Sequence, residues 1–436
     1  MMRGSRWVPI ALGSGTIVLY WIAIILGPRG DFPHHWELGR RMLSGEYIYE
    51  RGLNLVYPPF WALAHAPLAL VEVHLAQIIA YVLAPLSVAA LLRILHRLSR
   101  EQLPLSSDGN FWATSLAVTL AVNFLSRDLP EIGVNTALVA LTWYAIYLWV
   151  RKREVTAGIS LGLAAALKCT PLLFVGYFAL KRQWRVVVTS TAAFSLFTLA
   201  PILVQGPEQY VRAMRSWMTF VALGIADPDP SRGPLGEEKV ENLALRPALA
   251  RYLMHLPYGH LGRPETSDTP GRPNEPPSPY YLQFINLSPH HAGIVVKAIM
   301  AGLLLIVAWS FRSKISDRGD LSVLYECAAV SLLLLLYSPI TWKQHCVGVL
   351  PALFLICRHG FAGQPLPRWA VGAVTVYALF AAVLSRGIIG RDWVKLLDGY
   401  RVKTIAILLL MAAVLACRRA WLTAHPPDKN ERKRLP

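Results

Sequence analysis

The sequence is short of charge. Asp, Glu, Lys and Arg make up 16% of its 436 residues, against 54% hydrophobic residues. That balance excludes an ordinary soluble domain, which carries about a quarter of its residues as charge. Acid is scarcer still: 26 Asp and Glu stand against 43 Lys and Arg, a formal net charge of +17. Much of the basic excess lies in short loops between apolar blocks, where it reads as membrane orientation rather than as a nucleic-acid surface. The five cysteines, Cys169, Cys327, Cys346, Cys357 and Cys417, are scattered. Their spacing supports neither a disulfide framework nor a metal site, which leaves buried free thiols. An internal repeat is also missing, which weighs against the commonest transporter architectures.

What the chain has in abundance is apolar blocks of roughly 15–25 residues, the length that crosses about 30 Å of hydrocarbon. Spans are predicted near 7–27, 74–96, 111–126, 132–150, 186–205, 290–311, 321–337, 345–357, 369–385 and 402–417. The basic lead-in "MMRGSR" resembles a signal peptide, but "GPRG" after the first block is no small-residue cleavage site, so a retained helix is expected. The block 155–180, "VTAGISLGLAAALKCTPLLFVGYFAL", has basic clusters on both sides, Arg151–Arg153 and Lys181–Arg185. As a single helix it would separate them across the membrane. As a hairpin of two short helices broken near Lys168–Pro171 it keeps both in the cytoplasm. With the hairpin, the later short cytoplasmic segments carry fourteen Lys and Arg against six on the external ones; a single helix reverses this, against the positive-inside rule. Pro171 also disfavours helix at the residue before it.

The expected fold is an all-α polytopic membrane protein: about ten full transmembrane helices plus the short-helix hairpin, with external amphipathic helices. It forms one membrane-embedded domain, 1–425, and a basic cytoplasmic tail, 426–436. Both termini are expected in the cytoplasm, with external segments at 28–57 and 206–289. In the long segment, 207–224 and 241–256 have helical spacing, while the stretches 226–236 and 261–280 are rich in Pro, Gly and Asp and should be irregular.

The candidate chemistry gathers on the external side. Asp31 lies about four residues past the first predicted span, at the head of "DFPHHWELGRR". On a helical wheel Phe32, His35, Trp36, Met42 and Leu43 fall within about 120° and Glu37, Arg41 and Ser44 lie opposite, which predicts an amphipathic helix in the interface plane. Asp31 at its N-terminal end is where an anion is favoured. A charged residue just outside a helix is more often merely solvated, and His34 and His35 are weaker candidates than Asp31. The loop ends at Tyr57-Pro58-Pro59, a rigid return to the membrane. Lys168 lies deep in an apolar run, where an ionisable group is costly and points to function, against the plainer reading of a snorkelling side chain. The hairpin break would set free backbone amides beside its ammonium, a phosphate-binding arrangement. The third candidate is "YSPITWKQHC", where Trp342, Lys343, Gln344 and His345 offer an indole face, a cation, an amide and an imidazole. An interface belt is the plain alternative for Trp342.

Four elements, in order, resemble glycosyltransferase family 87, polyprenol-phosphate-sugar-dependent enzymes of the membrane-embedded C-type superfamily. They are the Asp after the first span with Gly45 to Tyr49 and Tyr57-Pro58-Pro59; "AGISLGLAAALKCTPLLF…KRQWR", through Ala157, Gly158, Lys168, Pro171, Arg182 and Trp184; "NLALRPALARYL" after Asn242; and "SPITWKQH". The chain departs from the family's usual Gly-Gln-x-Asn at "EIGVNT", which keeps Asn135; it has Gln344 where the first His of a pair is usual, and Thr341 for Ser. The resemblance implies transfer of a sugar, commonly mannose, from a polyprenyl-phosphate donor to a hydroxyl acceptor, a glycolipid or glycan, at the outer face of the cell membrane. On that reading Asp31 is the base of an inverting transfer and His345 assists it. Lys168 and Lys343 take the donor phosphate, and Trp342, Gln344, Tyr57 and Asn242 bind substrate. A monophosphate leaving group can be neutralised by the protein's own cations, so no metal and no cofactor are expected; Asp227-Pro228-Asp229, with its central proline, makes a poor metal motif. Two other readings remain at this point: a transporter or flippase of a lipid-linked sugar, or a non-catalytic envelope-assembly protein.

Overall fold

The computed structural model describes residues 30–50, 56–234, 236–237, 241–256 and 283–426, with isolated residues 15, 18 and 22. The predicted first span, the stretch 261–280 and the tail beyond 426 lie outside the described residues, apart from those isolated positions. The described chain is mostly helical; its β-structure is one two-residue antiparallel pair, Arg232–Gly233 with Gly236–Glu237.

Helix α1, Phe32–Ser44, follows the predicted amphipathic segment and ends at Gly45, whose φ of 71° closes the helix in the left-handed region. Its apolar stripe behaves differently from expectation. Phe32, His35, Leu38, Gly39 and Met42 are buried, and they pack on α2, Pro59–His65, and the 3-10 turn Ala66–Leu70. A Cβ at Gly39 would lie 2.6 Å from the His65 carbonyl oxygen, so the two backbones touch there. Leu43 is left exposed. The stripe is therefore covered by protein rather than by a lipid interface, because the Pro58-Pro59 turn folds α2 back underneath it.

Next come α3, Val73–Tyr81, and α4, Leu83–Ser99. Glu72 caps α3 by accepting from the amides of His74 and Leu75. α5, Ser107–Asp128, starts at Ser106, whose hydroxyl oxygen accepts from the Gly109 amide. It joins α6, Val134–Val150, through a bend of 109°. Two successive left-handed residues make that bend, Ile132 (φ 53°) and Gly133 (φ 67°), and a Cβ at Gly133 would sit 2.6 Å from Ala84 Cα.

The hairpin is present. α7, Glu154–Leu167, and α8, Leu172–Leu180, are separated by a break in which Lys168 is extended (φ −155°, ψ 120°). Both basic clusters lie at one end: Trp149 Nε1 donates to Gln183 Oε1 at 3.0 Å, and Arg185 sits 3.6 Å from Glu154. Fourteen residues carry α7 only about 21 Å, so the break lies within membrane depth. α7 packs closely on α9, Trp184–Leu199, at Gly158 and Gly162, the small-residue spacing that lets membrane helices approach.

α10, Ile202–Ala226, is kinked at Gly206, and α11 spans Leu245–Leu253. These answer the helical spacing in the long segment. α12, Pro289–Ser310, exposes Leu305, Ile306 and Trp309, as a lipid-facing helix does. α13, Leu321–Tyr337, is buried along nearly its whole length and forms the centre of the bundle. It packs on α17, Val402–Ala424, and on the 3-10 segment Lys343–Val349 that leads into α14, Leu350–Phe361. α15, Arg368–Tyr377, continues in a π-helical turn, Ala378–Val383, before α16, Arg386–Gly399. One hydrophobic core, with Trp143, Trp149, Tyr325, Phe354 and Leu410, joins these helices. The cysteines are free thiols, four of them buried.

Among the described residues, three helical stretches are long and apolar enough to cross a membrane, Val73–Ser99, α12 and α17; counting each sharply bent pair as one span gives six. Nine of the ten predicted blocks fall on described residues and are mostly helical; the sharp bends at Ile132–Gly133 and Leu384–Ser385 lie at block ends, and the one at Ala200–Pro201 breaks the block 186–205.

Candidate active site

Asp31 occupies the N-cap position of α1 without capping it through its side chain. Its amide instead donates to Glu131 Oε2 at 2.5 Å, across from the α5–α6 turn. Gly30 (φ 69°) makes that approach possible, since a Cβ there would lie 2.6–2.8 Å from the Glu131 carboxylate. The turn itself is locked by buried Asp128, which accepts from the amides and side chains of both Asn135 and Thr136 at 2.7–3.2 Å. Burial, reinforced by the negative charge of Asp31, pushes the Glu131 carboxyl up to about 7.

Asp31 lines a polar cavity of about 500 Å³ together with Trp342, Lys343 and Gln344, so the structure brings together four of the residues singled out from sequence. Arg127, Arg386, Arg391, Lys395 and Lys403 line it too, with Glu241 and Asp398 as the other carboxylates. Asp398 bridges two of the cations, Lys343 at 2.8 Å and Lys403 at 2.6 Å. Lys343 is thereby tied into this cavity, whereas Lys168 lines two others.

Lys168 lies on the other side. It lines a small inner cavity of about 60 Å³ with His345, Asn135 and Thr170, and an apolar cavity of about 270 Å³ with Val56, Pro58, Phe220, Val221 and Ile225. Its Nζ is 3.4 Å from Asn135 Oδ1 and 5.8 Å from the centre of the Tyr57 ring. Past Lys168, the Leu172 and Leu173 amides close short turns onto the Cys169 and Thr170 carbonyls. The amides of Cys169 and Thr170 have no hydrogen-bond partner among the described residues. The break thus sets two free donors beside an ammonium, fewer than a fresh helix start would offer.

The segment Ser338–His345 is the wall between these spaces. Ser338, Pro339 and Ile340 face the apolar cavity, Trp342, Lys343 and Gln344 the polar one, and His345 the inner one. Asp31 and His345 therefore line different cavities. His345 Nδ1 lies 3.1 Å from the Trp342 amide nitrogen and 3.2 Å from the Ile340 carbonyl oxygen; when it accepts from Trp342, Nε2 carries the proton. Asn242 holds the wall in place: Oδ1 accepts from the Thr341 amide (2.9 Å) and the Ala244 amide (3.1 Å), and Nδ2 donates to the Pro339 carbonyl (3.1 Å). Both of its polar side-chain atoms are thus committed to backbone groups.

Tyr57 stacks on Trp61 with ring centres 4.2 Å apart and is not among the residues lining these three cavities. Burial raises its hydroxyl pKa, and the charges of Asp31, Glu131 and Asp128 add to that. His35 is a buried neighbour of the same cluster, accepting from Trp61 Nε1 at 3.2 Å; burial, then His65, His34 and Lys168, keep it neutral. His34 stays exposed. Among the described residues no group of three or more His, Cys, Asp or Glu is placed to hold a metal ion, and the Asp227 and Asp229 carbonyls accept from Arg246. Sequence reasoning passed over Glu131 and Asp128, which share a short turn; their only signal was two acids three residues apart around Leu129-Pro130.

The model of glycosyltransferase family 87 matches residues 55–339. The chain is 27% identical over 383 residues to a polyprenol-phosphate-mannose-dependent alpha-(1-2)-phosphatidylinositol pentamannoside mannosyltransferase of Mycolicibacterium smegmatis, covering 83% of this chain and 79% of that one. It is 24% identical over 362 residues to a polyprenol-phosphate-mannose-dependent alpha-(1-2)-phosphatidylinositol mannoside mannosyltransferase of Mycobacterium tuberculosis, covering 77% and 73%. Among solved structures, ArnT from Cupriavidus metallidurans bound to undecaprenyl phosphate aligns over 97% of this chain and 79% of its own, with 14% identity and a TM-score of 0.41, a likeness too low to carry an argument.

Proposed function

The chain belongs to glycosyltransferase family 87, and from that premise we propose that it moves a mannosyl group from a polyprenyl-phosphate carrier to a hydroxyl acceptor, with inversion, at the external face of the cell membrane. Family membership makes it a membrane glycosyltransferase and sets aside the transporter and assembly-factor readings. The observation that carries the finer proposal is the division of the site by Ser338–His345: an apolar cavity with Lys168 at its edge on one side, a polar cavity with Asp31 on the other.

The first isoprene units of the carrier, those next to the phosphate, enter the apolar cavity, where Phe220, Val221 and Ile225 need no polar partner. Its phosphate meets Lys168 and the amides of Cys169 and Thr170, with the His345 Nε2–H close by. These donors stabilise the charge that grows on the leaving phosphate. The acceptor occupies the polar cavity, its sugar against Trp342 and its polar groups toward Gln344 and the cations. Asp31 takes the proton of the attacking hydroxyl as the oxygen bonds to the anomeric carbon and the carbon–phosphate oxygen bond breaks. The reacting carbon lies at the seam between the two cavities. No step needs a metal or a cofactor. The external assignment rests on the fourteen-to-six distribution of Lys and Arg between short loops.

The test uses purified protein in detergent, radiolabelled polyprenyl-phosphate mannose and lipids extracted from membranes. Wild type transfers label to a lipid, and Lys168→Ala raises the donor KM about tenfold or more, as loss of a phosphate contact requires. An unchanged KM in Lys168→Ala removes the phosphate site, and no transfer by wild type overturns the reading.

A further inference from the structure

The Asp31–Glu131 contact does more than join two loops. We propose that Glu131 is a positioning residue for Asp31, its ionised carboxylate holding the Asp31 amide and so fixing the head of α1 at the mouth of the polar cavity. This rests on the reading of Asp31 as the base.

The geometry is one-sided. Glu131 stands on a turn that cannot shift: Asp128 ties it to the first residues of α6 by four hydrogen bonds, and Gly133 is pressed on Ala84 of α4. The head of α1 is held by Phe32, packed against Ala76, Ala80 and Ile132, and by Trp36 Nε1 donating to the Val71 carbonyl at 2.9 Å, but among the described residues Asp31 itself has no comparable polar lock on its own side. The Asp31 carbonyl accepts from the His34 and His35 amides, which are part of the helix itself, and the side chain caps nothing. Its amide has one fixed acceptor, Glu131 Oε2. An ionised acceptor makes a shorter and stronger bond than a neutral one. Swinging the head of α1 away would carry Asp31 out of the cavity it shares with Trp342 and Gln344.

The charge on Glu131 is therefore a control point. The groups that face it are Asp31 from α1, Asp128 from its own turn and the Tyr57 hydroxyl from the loop before α2; Arg127, Lys343 and Glu241 lie beyond, around the cavity. Its carboxyl is raised to about 7, first by burial and then by Asp31. A raised carboxyl is protonated below that point, so the charged anchor is present above about pH 7 and fades as the pH falls through it.

Two measurements separate this role from plain structural support. In hydrogen exchange without substrate, the Asp31 amide is protected in wild type and exchanges about tenfold or more faster in Glu131→Ala. In the transfer assay, wild-type kcat rises through about pH 7, while Glu131→Gln, which keeps the shape and an acceptor oxygen but no charge, stays flat between about pH 6 and 8 at the acid-limb rate of wild type. Donor KM moves little in either variant. Unchanged exchange in Glu131→Ala, or a retained inflection near 7 in Glu131→Gln, overturns the proposal. If Asp31→Asn transfers sugar normally while Glu131→Ala still frees the amide, the assignment of the base fails and the anchor stands.

Discussion

Glu326 lies inside α13, where a carboxylate is expensive. Its two oxygens meet Lys181 Nζ at 2.7 Å and Arg418 Nη2 at 2.7 Å, and Tyr177 donates to it at 2.9 Å. The Lys181 and Glu326 side chains are 2% and 1% exposed, so solvent screens almost none of this. The triad ties the end of the hairpin to α13 and α17. Glu326→Gln keeps the volume and a partner for Tyr177 but leaves two cations side by side. Breaking a buried pair in this way costs about 3–5 kcal/mol. The lower end applies, because Lys181 keeps the Ser313 carbonyl at 2.9 Å and Arg418 keeps the Ser313 hydroxyl at 3.3 Å. With an unfolding entropy of about 2.1 cal/mol/K per residue, each kcal/mol is worth roughly 1 °C in a chain of this length, so the melting midpoint falls by about 3 °C. The assay is thermal unfolding in detergent. Removing a cation as well, in Glu326→Gln with Lys181→Met, recovers about half of the loss. Activity per folded molecule is unchanged, since Lys168 lies at the other end of α8. A single variant that melts within about 1 °C of wild type refutes the reasoning.

The remaining predictions concern the hairpin seat and the dividing wall. Gly162→Leu drives a side chain into α9, where even a Cβ would lie 2.6 Å from Ala193 Cβ and 2.7 Å from the Ser190 carbonyl oxygen. It costs about 1–3 kcal/mol or more and lowers the monodisperse yield on gel filtration. Gly176→Ala, with nothing within 4 Å, leaves the yield unchanged. Asn242→Ala removes three hydrogen bonds, two of them to the wall, about 2–4 kcal/mol of local order, and transfer falls about tenfold or more. Asn242→Asp keeps the two acceptor contacts and falls between.

The fold was legible where a local rule acted alone. Charge counting and Pro171 located the hairpin, because both report on the chain itself. The stripe on α1 was read correctly as a stripe and wrongly as a lipid-facing one. Periodicity says which residues are apolar together, not what covers them, and α2 arrives from a separate segment. The site was legible as a set of residues: Asp31, Trp342, Lys343 and Gln344 do meet. Its partition was not. Whether Lys343 joins Lys168 or Asp398 depends on how Ser338–His345 threads between cavities, a matter of long-range packing. Glu131 was invisible for the same reason, one hundred residues from the amide it holds.

The most direct test of the central claim is the transfer rate of Asp31→Asn. Removing a general base costs about 10²–10⁴ in kcat while leaving donor affinity alone. The account predicts that loss, with donor KM within about threefold of wild type. An Asp31→Asn enzyme that keeps more than about a tenth of the wild-type kcat contradicts it.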